Sequence, residues 1–196
     1  IIQKLVNMNT INIGLIGAGD IADLHAKAIN ELNGATLKGL WNRTTEKAHK
    51  KAAQFGCKVY DSVDDMLEDP EIHGVFILTN METHCEYTTR AAAAGKHILV
   101  EKPAASSIEE LEKMQAAVSA ANVYCMPVHN YIYEASVNRT KALIEDGSLG
   151  EITQFYMLYN ISPTYWHDDG NYYNLKIQLL LQPNYPHASR QWCKRG

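Results

Sequence analysis

The sequence lacks long apolar runs and an excess of positive charge. Although 46% of its 196 residues are hydrophobic, every apolar stretch is much shorter than the roughly 20 residues that a membrane-spanning helix needs. Its 18 Lys and Arg residues are outnumbered by 22 Asp and Glu, which gives a formal net charge of −4. A chain with this charge has no general attraction to nucleic-acid phosphates or anionic lipids. We therefore expect neither a membrane nor a nucleic acid as its partner.

The sequence also has little cysteine. Its 4 cysteines form neither a CxxC pair nor a Cys/His pattern of the zinc type, so we expect no metal site. Reduced, widely spaced thiols are typical of the cytoplasm, where we expect the protein to be. The first residue is Ile1, and we expect the natural start at Met8, because Met8, Asn9 and Thr10 lead directly into the first predicted strand. The seven residues before Met8 are too few and insufficiently apolar for a signal peptide.

What the sequence does contain is a regular alternation of short apolar runs and helical patterns. The runs predicted as strands are residues 11–16, 36–41, 58–60, 75–79, 97–100 and 123–128. Helical spacing predicts helices over residues 21–32, 45–55, 63–67, 83–94 and from 107 onward. Strands that alternate with helices in this way form a parallel sheet covered on both faces. We therefore predict an α/β fold, a doubly wound parallel-sheet Rossmann domain, over residues 9–130.

The remainder, residues 131–196, is predicted to be the start of a second, incomplete α/β (α+β) domain. It would contain a helix over residues 135–145, a turn at 147–150 and a strand over 152–159. No Asp or Glu occurs after Asp169, and two prolines disfavour a long element there. We expect this tail to be poorly specified by its sequence.

A glycine-rich segment, Gly-Ala-Gly-Asp-Ile-Ala, begins at Gly17 and connects the first predicted strand to the first predicted helix. Gly17 suits a tight turn, Gly19 lets a pyrophosphate approach the backbone, and Ala22 lets the helix pack closely on the strand. The N–H groups at the start of the helix, at Asp20 and Ile21, would face the phosphates. A GxGxxA pattern between a strand and a helix therefore predicts a dinucleotide-binding site at these residues.

The end of the second predicted strand bears on which dinucleotide is bound. An acid commonly stands there and binds the adenosine ribose of NAD. This sequence has Asn42, followed by Arg43 and Thr44. Asparagine can bind a ribose hydroxyl without repelling a 2′-phosphate, and arginine is a good phosphate ligand. We predict NADP or NAD as the cofactor, with NADP favoured; the alternative is that Arg43 is only a solvated residue at a helix start.

Further polar groups follow the fourth predicted strand. Thr79 and Asn80 stand at its end, and His84 follows in the next helix. In open α/β sheets, ligands bind beyond the carboxyl ends of the strands, so we predict that these residues contact the cofactor. For His84 a structural role at the helix start is equally compatible with the pattern.

Glu101, Lys102 and Pro103 follow the fifth predicted strand. This position would bring the Lys102 ammonium to the mouth of the cofactor cleft, where it could bind and polarise a substrate hydroxyl or carbonyl during hydride transfer. The alternative is a surface pair of Glu101 and Lys102 before a turn-forming proline.

In their order and spacing, these motifs resemble those of the Gfo/Idh/MocA oxidoreductases, which include glucose–fructose oxidoreductase and inositol dehydrogenase. The likeness covers about residues 9–160 and includes the glycine-rich segment, the 42–44 strand end, the Thr79–Asn80 pair with His84, and residues 95–103. The resemblance implies a dinucleotide-binding domain followed by an α/β substrate domain, which usually forms a homo-oligomer interface. It also implies that the substrate is a sugar, inositol or related polyol, oxidised or reduced at a hydroxyl-bearing carbon.

The same resemblance implies roles for particular residues. Lys102 corresponds to the family's catalytic lysine, which also contacts substrate and cofactor, and Glu101 corresponds to its neighbour beside the nicotinamide. His129 and Asn130, after the sixth predicted strand, correspond to a segment that lines the substrate site.

One feature of the family is not found in this sequence. Relatives carry an Asp-x-Gly-x-x-His pattern in the second domain, which supplies an acid/base histidine. Here Asp168-Asp169-Gly170 is followed by Asn171 and two tyrosines. Two alternatives to an active oxidoreductase therefore stay open: a non-catalytic dinucleotide-binding sensor or regulator on the same fold, and an inactive fragment.

Overall fold

A computed structural model describes residues 10–156 of the chain. Its centre is a six-stranded sheet in which every strand runs parallel to its neighbours, in the order β3-β2-β1-β4-β5-β6. The strands are β1 (Ile11–Ile16), β2 (Ala35–Trp41), β3 (Lys58–Val59), β4 (Gly74–Ile77), β5 (His97–Val100) and β6 (Cys125–Pro127). The predicted doubly wound Rossmann sheet is confirmed. Because β1 lies between β2 and β4, the strand order reverses there, which is where such sheets bind ligands.

Six α-helices connect or follow these strands in the described part of the chain. They are α1 (Asp20–Glu31), α2 (Thr45–Phe55), α3 (Val63–Glu68), α4 (His84–Ala93), α5 (Ile108–Ala121) and α6 (Ala135–Glu145), with short 3-10 turns at Met81–Thr83 and Asn130–Tyr133. Serine caps determine two of the helix starts. The Ser62 and Ser107 hydroxyls accept hydrogen bonds from the N–H groups of Asp65 and Glu110, which have no partner within their helices.

The sheet is buried on both faces because alternate residues of its strands enter two separate cores. Ile13 and Leu15 of β1 pack on one face with Ala22 of α1. Ile16 of the same strand packs on the other face with Met66 of α3. Neighbouring residues of a strand point to opposite faces, so an almost uninterrupted apolar run is what a central parallel strand requires. The carboxyl ends of the strands are thereby held together at one edge of a rigid sheet.

Three strands are shorter than predicted: β3 ends at Val59, one residue early, and β4 and β6 are also shortened. The Leu78 N–H still donates a hydrogen bond to the Ile16 carbonyl. After Leu78 the chain has no strand to pair with on the β1 side, because β1 turns away at Gly17. Thr79 and Asn80 therefore lie in a loop rather than in the strand. The sixth strand covers three residues instead of 123–128, since it is an edge strand that pairs only with β5 and follows directly on the end of α5.

The chain divides into two compact units between Lys141 and Ala142. The described part of the second unit, residues 142–156, contains the end of α6 and a turn with positive φ at Gly147 and Gly150. The strand predicted at 152–159 is wrong for residues 152–156, none of which joins a strand, because the described part of this unit offers no second strand to pair with. Residues 157–159 and the predicted tail lie outside the described residues.

The domain boundary at residue 130 and the α/β character of the second domain remain predictions. None of the helices within residues 10–156 combines the length and the hydrophobicity needed to cross a bilayer.

Candidate functional site

An open cleft of about 250 Å³ lies where β1, β2 and β4 end, at the reversal of the strand order. It combines backbone from the glycine-rich segment with side chains that follow the neighbouring strands. The lining residues are Gly17, Ala18, Gly19, Trp41, Asn42, Arg43, Thr44, Lys47, Leu78, Thr79, Asn80, Thr83 and Tyr87. The fold thus brings together three motifs that are up to about sixty residues apart in the sequence.

Gly17 makes the turn out of β1. Its φ is +117°, and a Cβ at this position would lie 2.9 Å from both the carbonyl carbon and the carbonyl oxygen of Leu78. The Gly17 N–H donates to the Trp41 carbonyl at 2.8 Å. Only glycine fits this turn, because any side chain would have to displace the backbone of the adjacent strand end.

Gly19 differs from Gly17, because a Cβ there would meet no atom of the described structure within 4 Å. Its backbone is extended, and α1 begins at the next residue. The first N–H groups of a helix have no partner within it and carry the positive end of the helix dipole. The predicted contacts Asp20 and Ile21 lie in this first turn, are exposed, and are not part of the cleft lining. The open space beside this turn therefore suits an anionic group such as a pyrophosphate.

Asn42 braces the glycine-rich segment with its own side chain. Its Oδ1 accepts a hydrogen bond from the Ala18 N–H at 3.0 Å, and its Nδ2 donates to the Thr44 carbonyl at 3.0 Å. Both ends of the amide are thus engaged within the protein. No carboxylate stands at this position, which is the one that would face a ribose diol.

Two cationic side chains, Arg43 and Lys47, line this end of the cleft and are exposed. Within residues 10–156 neither forms an ion pair with an acidic side chain. By contrast Lys51, one turn further along α2, pairs with Asp23 of α1 at 2.5 Å. The cleft therefore presents an uncompensated positive charge beside Asn42, where an anionic substituent of a ligand would be stabilised.

The wall of the cleft opposite Arg43 and Lys47 is formed by residues that follow β4. Thr83 Oγ1 lies 2.7 Å from Thr79 Oγ1 and 2.8 Å from the Asn80 carbonyl, which ties the loop to the start of α4. One turn later, the Tyr87 ring makes an edge-to-face contact with Trp41, with ring centroids 6.0 Å apart. Burial raises the pKa of Tyr87 above its ordinary value, so the hydroxyl is neutral. This wall offers neutral polar groups and aromatic surface.

Apart from Ala18, which belongs to the predicted glycine-rich segment, sequence reasoning missed five lining residues: Trp41, Lys47, Leu78, Thr83 and Tyr87. Helical spacing offers a signal for some of them. Lys47 lies one turn after Arg43, and Tyr87 lies one turn after Thr83 and two after Asn80, so each could share a face with a residue that was predicted.

His84 lies beneath this wall and not in it. Its side chain is 1% exposed, Nε2 lies 2.9 Å from the Thr79 carbonyl oxygen, and Nδ1 lies 2.9 Å from the Pro103 carbonyl oxygen. With both ring nitrogens engaged, His84 has no polar atom left for a cofactor. The geometry favours the structural alternative, in which His84 ties the loop after β4 to the loop after β5.

Removal of the His84 imidazole should destabilise the fold. We expect His84→Ala to lower the free energy of unfolding by about 2–4 kcal/mol, because two carbonyls lose their contact and a cavity is left. Urea denaturation measures this difference. The control is His49→Ala, on the exposed face of α2, which should change stability by less than about 0.5 kcal/mol. Equal effects of the two substitutions would contradict the tie between the loops.

Lys102 follows β5 and is exposed, whereas Glu101 before it is only 6% exposed. Glu101 Oε1 lies 3.0 Å from Nε2 of His25 on α1, and Oε2 accepts the Lys102 N–H at 2.9 Å. Burial would raise the pKa of Glu101, but the hydrogen bonds from His25 and from the Lys102 N–H outweigh it, so its pKa lies below the ordinary value. The Lys102–Pro103 peptide bond is cis.

The predicted contacts of Glu101 and Lys102 with a cofactor remain predictions. Neither residue is part of the cleft lining, and both carboxylate oxygens of Glu101 already accept hydrogen bonds inside the protein.

His129 and Asn130 are exposed and follow β6. Pro127 pairs with Val100 in the register of β5 and β6, and the Val128 N–H donates to the Val100 carbonyl at 2.8 Å. Lys102 is two residues beyond Val100, and His129 is two residues beyond Pro127. The two side chains therefore follow neighbouring strands at the same step, at the carboxyl edge of the sheet. Within residues 10–156, no cluster of three or more His, Cys, Asp or Glu side chains is arranged to hold a metal ion.

Comparison with known proteins agrees with this geometry. Residues 11–129 match the Gfo/Idh/MocA family, described as an oxidoreductase family with an NAD-binding Rossmann fold. The chain belongs to this family. It is similar to glucose-6-phosphate 3-dehydrogenase of Bacillus subtilis, with 32% identity over 81% of the chain and 47% of the relative. It is also similar to inositol 2-dehydrogenase of Rhizobium meliloti, with 31% identity over 73% of the chain and 43% of the relative.

Among solved structures, the Gfo/Idh/MocA chain is similar to the WlbA dehydrogenase of Bordetella pertussis, which was crystallised with NADH and UDP-GlcNAcA. The TM-score is 0.70 and the identity 28%, over 72% of this chain and 41% of that one. The chain thus spans less than half the length of each of these three relatives. The family match extends from the start of β1 to just beyond β6, so it covers the whole six-stranded sheet.

Proposed function

We propose that this Gfo/Idh/MocA chain takes part in NAD(P)-dependent oxidation or reduction of a hydroxyl-bearing carbon in a sugar, inositol or related polyol. The observation that carries the proposal is the open space at Gly19, beside the first turn of α1, in a cleft at the reversal of the strand order. The named relatives act on glucose 6-phosphate and inositol, which supports a polyhydroxylated substrate.

The residues of the cleft and those that follow β5 and β6 would have separate roles. The first turn of α1 would bind the pyrophosphate, and Thr79 and Asn80 would contact the nicotinamide half. A bound nicotinamide would supply or accept the hydride. The Lys102 ammonium would bind the substrate oxygen and stabilise the negative charge that develops on it, with His129 and Asn130 beside it. Glu101 would support this arrangement from beneath.

We further propose that NADP is preferred over NAD. Three features support this: position 42 holds an asparagine instead of an acid, its amide is engaged with Ala18 and Thr44, and the cations Arg43 and Lys47 form no ion pair in the described part of the chain. A 2′-phosphate would gain charge-assisted hydrogen bonds there. NAD is the second candidate, because the similar WlbA structure holds NADH.

The preference predicts a selective effect of Arg43→Ala. We expect this substitution to raise the Kd of NADPH by about tenfold or more, since a hydrogen bond between charged groups contributes about 1.5–3 kcal/mol. The Kd of NADH should stay within about twofold. The matched control is Lys50→Ala, which removes an exposed cation from α2, the helix that begins two residues after Arg43, and lies outside the cleft. Equal weakening of both cofactors by Arg43→Ala would overturn the NADP assignment.

The proposed function can be tested in two stages. NADPH and NADH are titrated into the purified chain while tryptophan fluorescence is followed, since Trp41 lines the cleft. A panel of sugars, sugar phosphates and inositols is then assayed for hydride transfer by the absorbance of the reduced cofactor. Binding with turnover supports the oxidoreductase, and absence of binding contradicts the proposal.

A non-catalytic dinucleotide sensor is the second candidate function. It is favoured by the sequence after Asp168, where Asp169 and Gly170 are followed by Asn171 and two tyrosines instead of a histidine at the family's spacing. Binding of NADPH without turnover of any substrate in the panel would support it. We also propose a cytoplasmic location, supported by Cys57, Cys85 and Cys125, which are free thiols.

A further inference from the structure

His25 is not part of the cleft lining. Within residues 10–156, however, it forms a partly buried polar connection between α1 and Glu101, the residue before Lys102. Its Nε2 contacts Glu101 Oε1 at 3.0 Å, and its side chain is 15% exposed. The imidazole is held by an edge-to-face contact with Phe76 of β4, with ring centroids 5.5 Å apart and planes at 79°. His25 therefore presents Nε2 to the carboxylate from a defined direction.

Glu101 connects His25 to the backbone of the next residue, Lys102. Its second oxygen, Oε2, accepts the N–H of Lys102 at 2.9 Å. A carboxylate that accepts a backbone N–H forms a strong, short hydrogen bond, and here a second partner holds the other oxygen. The backbone of Lys102 is thus connected through one carboxylate to α1, the helix whose first turn borders the cleft.

We infer that His25 is a positioning residue, which acts through Glu101 to hold the Lys102 backbone in register with the cofactor-binding helix α1. This inference rests on the proposed function of Lys102. It predicts that loss of His25 lowers the contribution of Lys102 to turnover. No group is removed from the cleft, since His25 is not part of its lining.

The charge of Glu101 provides a direct measure of the connection. Burial would raise its pKa, while His25 and the Lys102 N–H lower it further than burial raises it. The titratable groups that act on it are His25, from α1, and the Lys102 ammonium, from its own segment; β4 contributes the apolar Phe76 ring, which touches His25. Without His25, burial acts with less opposition, and the pKa of Glu101 should rise.

The test follows the Lys102 backbone amide by NMR in the full chain labelled with 15N-lysine. The signal is assigned by its loss in Lys102→Arg. In the wild type we expect the chemical shift of this amide to stay that of an N–H bonded to a carboxylate until the pH falls below the range in which glutamate ordinarily titrates. In His25→Leu the transition should move upward by about one pH unit. His25→Gln, which retains a side-chain N–H donor, should restore most of the wild-type behaviour.

The control is His49→Leu, on the exposed face of α2, which should leave the Lys102 amide unchanged. Circular dichroism defines the pH range in which each variant is folded. An unchanged transition in His25→Leu would overturn the inference, and so would failure of His25→Gln to rescue it. The measurement needs no bound cofactor or turnover, so it decides the role of His25 even if the proposed function fails.

Kinetics supply the second readout where the chain turns over substrate. We expect His25→Leu to lower kcat by about tenfold or more, because a small displacement of a reacting group is costly, while the Kd of NADPH changes by less than about twofold. A variant with unchanged kcat, or one that loses cofactor affinity and kcat in equal measure, would contradict a positioning role.

Discussion

Replacement of Lys102 by alanine is expected to reduce turnover of a sugar or polyol substrate by about 10²–10⁴-fold. This is the contribution typical of a side chain that stabilises or transfers a proton in the transition state. The Kd of NADPH should change little, because Lys102 is exposed beyond β5 and is not part of the cleft lining. Steady-state assays with the best substrate of the panel measure kcat and KM, and tryptophan fluorescence measures the Kd.

Two further variants make this prediction specific. Lys113→Ala removes an exposed lysine from α5 and should leave turnover unchanged. Lys102→Arg keeps the charge but replaces a compact ammonium with a planar group of different reach, so it should recover only a small part of the activity. Turnover by Lys102→Ala at the wild-type rate would remove Lys102 from the mechanism and leave the dinucleotide-binding site unaffected.

The second large effect is expected at the glycine-rich turn. Gly17→Ala places a Cβ 2.9 Å from the Leu78 carbonyl, at a φ of +117°, which alanine rarely adopts. Backbone strain and overpacking each cost about 1–3 kcal/mol, so we expect the free energy of unfolding to fall by about 2–5 kcal/mol. Because the turn carries the backbone that would face the phosphates, the Kd of NADPH should also rise by at least about tenfold.

Two other glycines separate the causes of this effect. Gly34 also has a positive φ, +87°, but a Cβ there meets nothing within 4 Å, so Gly34→Ala isolates the backbone strain and should cost less. Gly19 has open space and an extended backbone, so Gly19→Ala should leave stability nearly unchanged while it weakens NADPH binding. Urea denaturation and fluorescence titration measure the two quantities. If Gly19→Ala bound NADPH as tightly as the wild type, the pyrophosphate would not lie beside this residue.

The sequence predicted much of the sheet and of one half of the cleft because these depend on local patterns. β1 begins and ends where its apolar run does, and the GxGxxA segment follows directly. Arg43 and Thr44, which the sequence predicts as cofactor contacts, line the cleft because they follow the end of β2, and the carboxyl ends of parallel strands meet at one edge. Such features need only the periodicity of one segment and its neighbour.

The sequence did not predict contacts between residues that are distant along the chain. His84 was a candidate cofactor ligand, but it is buried and engaged with Thr79 and Pro103. A histidine at the start of a helix is compatible with either role, and only the packing of α4 against the loop after β5 decides between them. The strand predicted beyond residue 152 failed in its described part for a related reason, because a strand is defined by its partner.

By itself, the sequence determined the parallel sheet, the glycine-rich turn and the asparagine in place of an acid at the end of β2. These follow from the alternation of apolar runs, from the absence of a side chain at Gly17 and Gly19, and from the identity of one residue. Only the tertiary structure decided that His25, on the first helix, contacts Glu101 at 3.0 Å across 76 positions of the chain. The physical reason is that β1 and β5 flank β4 in the sheet, so the helix after one and the loop after the other meet, a proximity that no local pattern encodes.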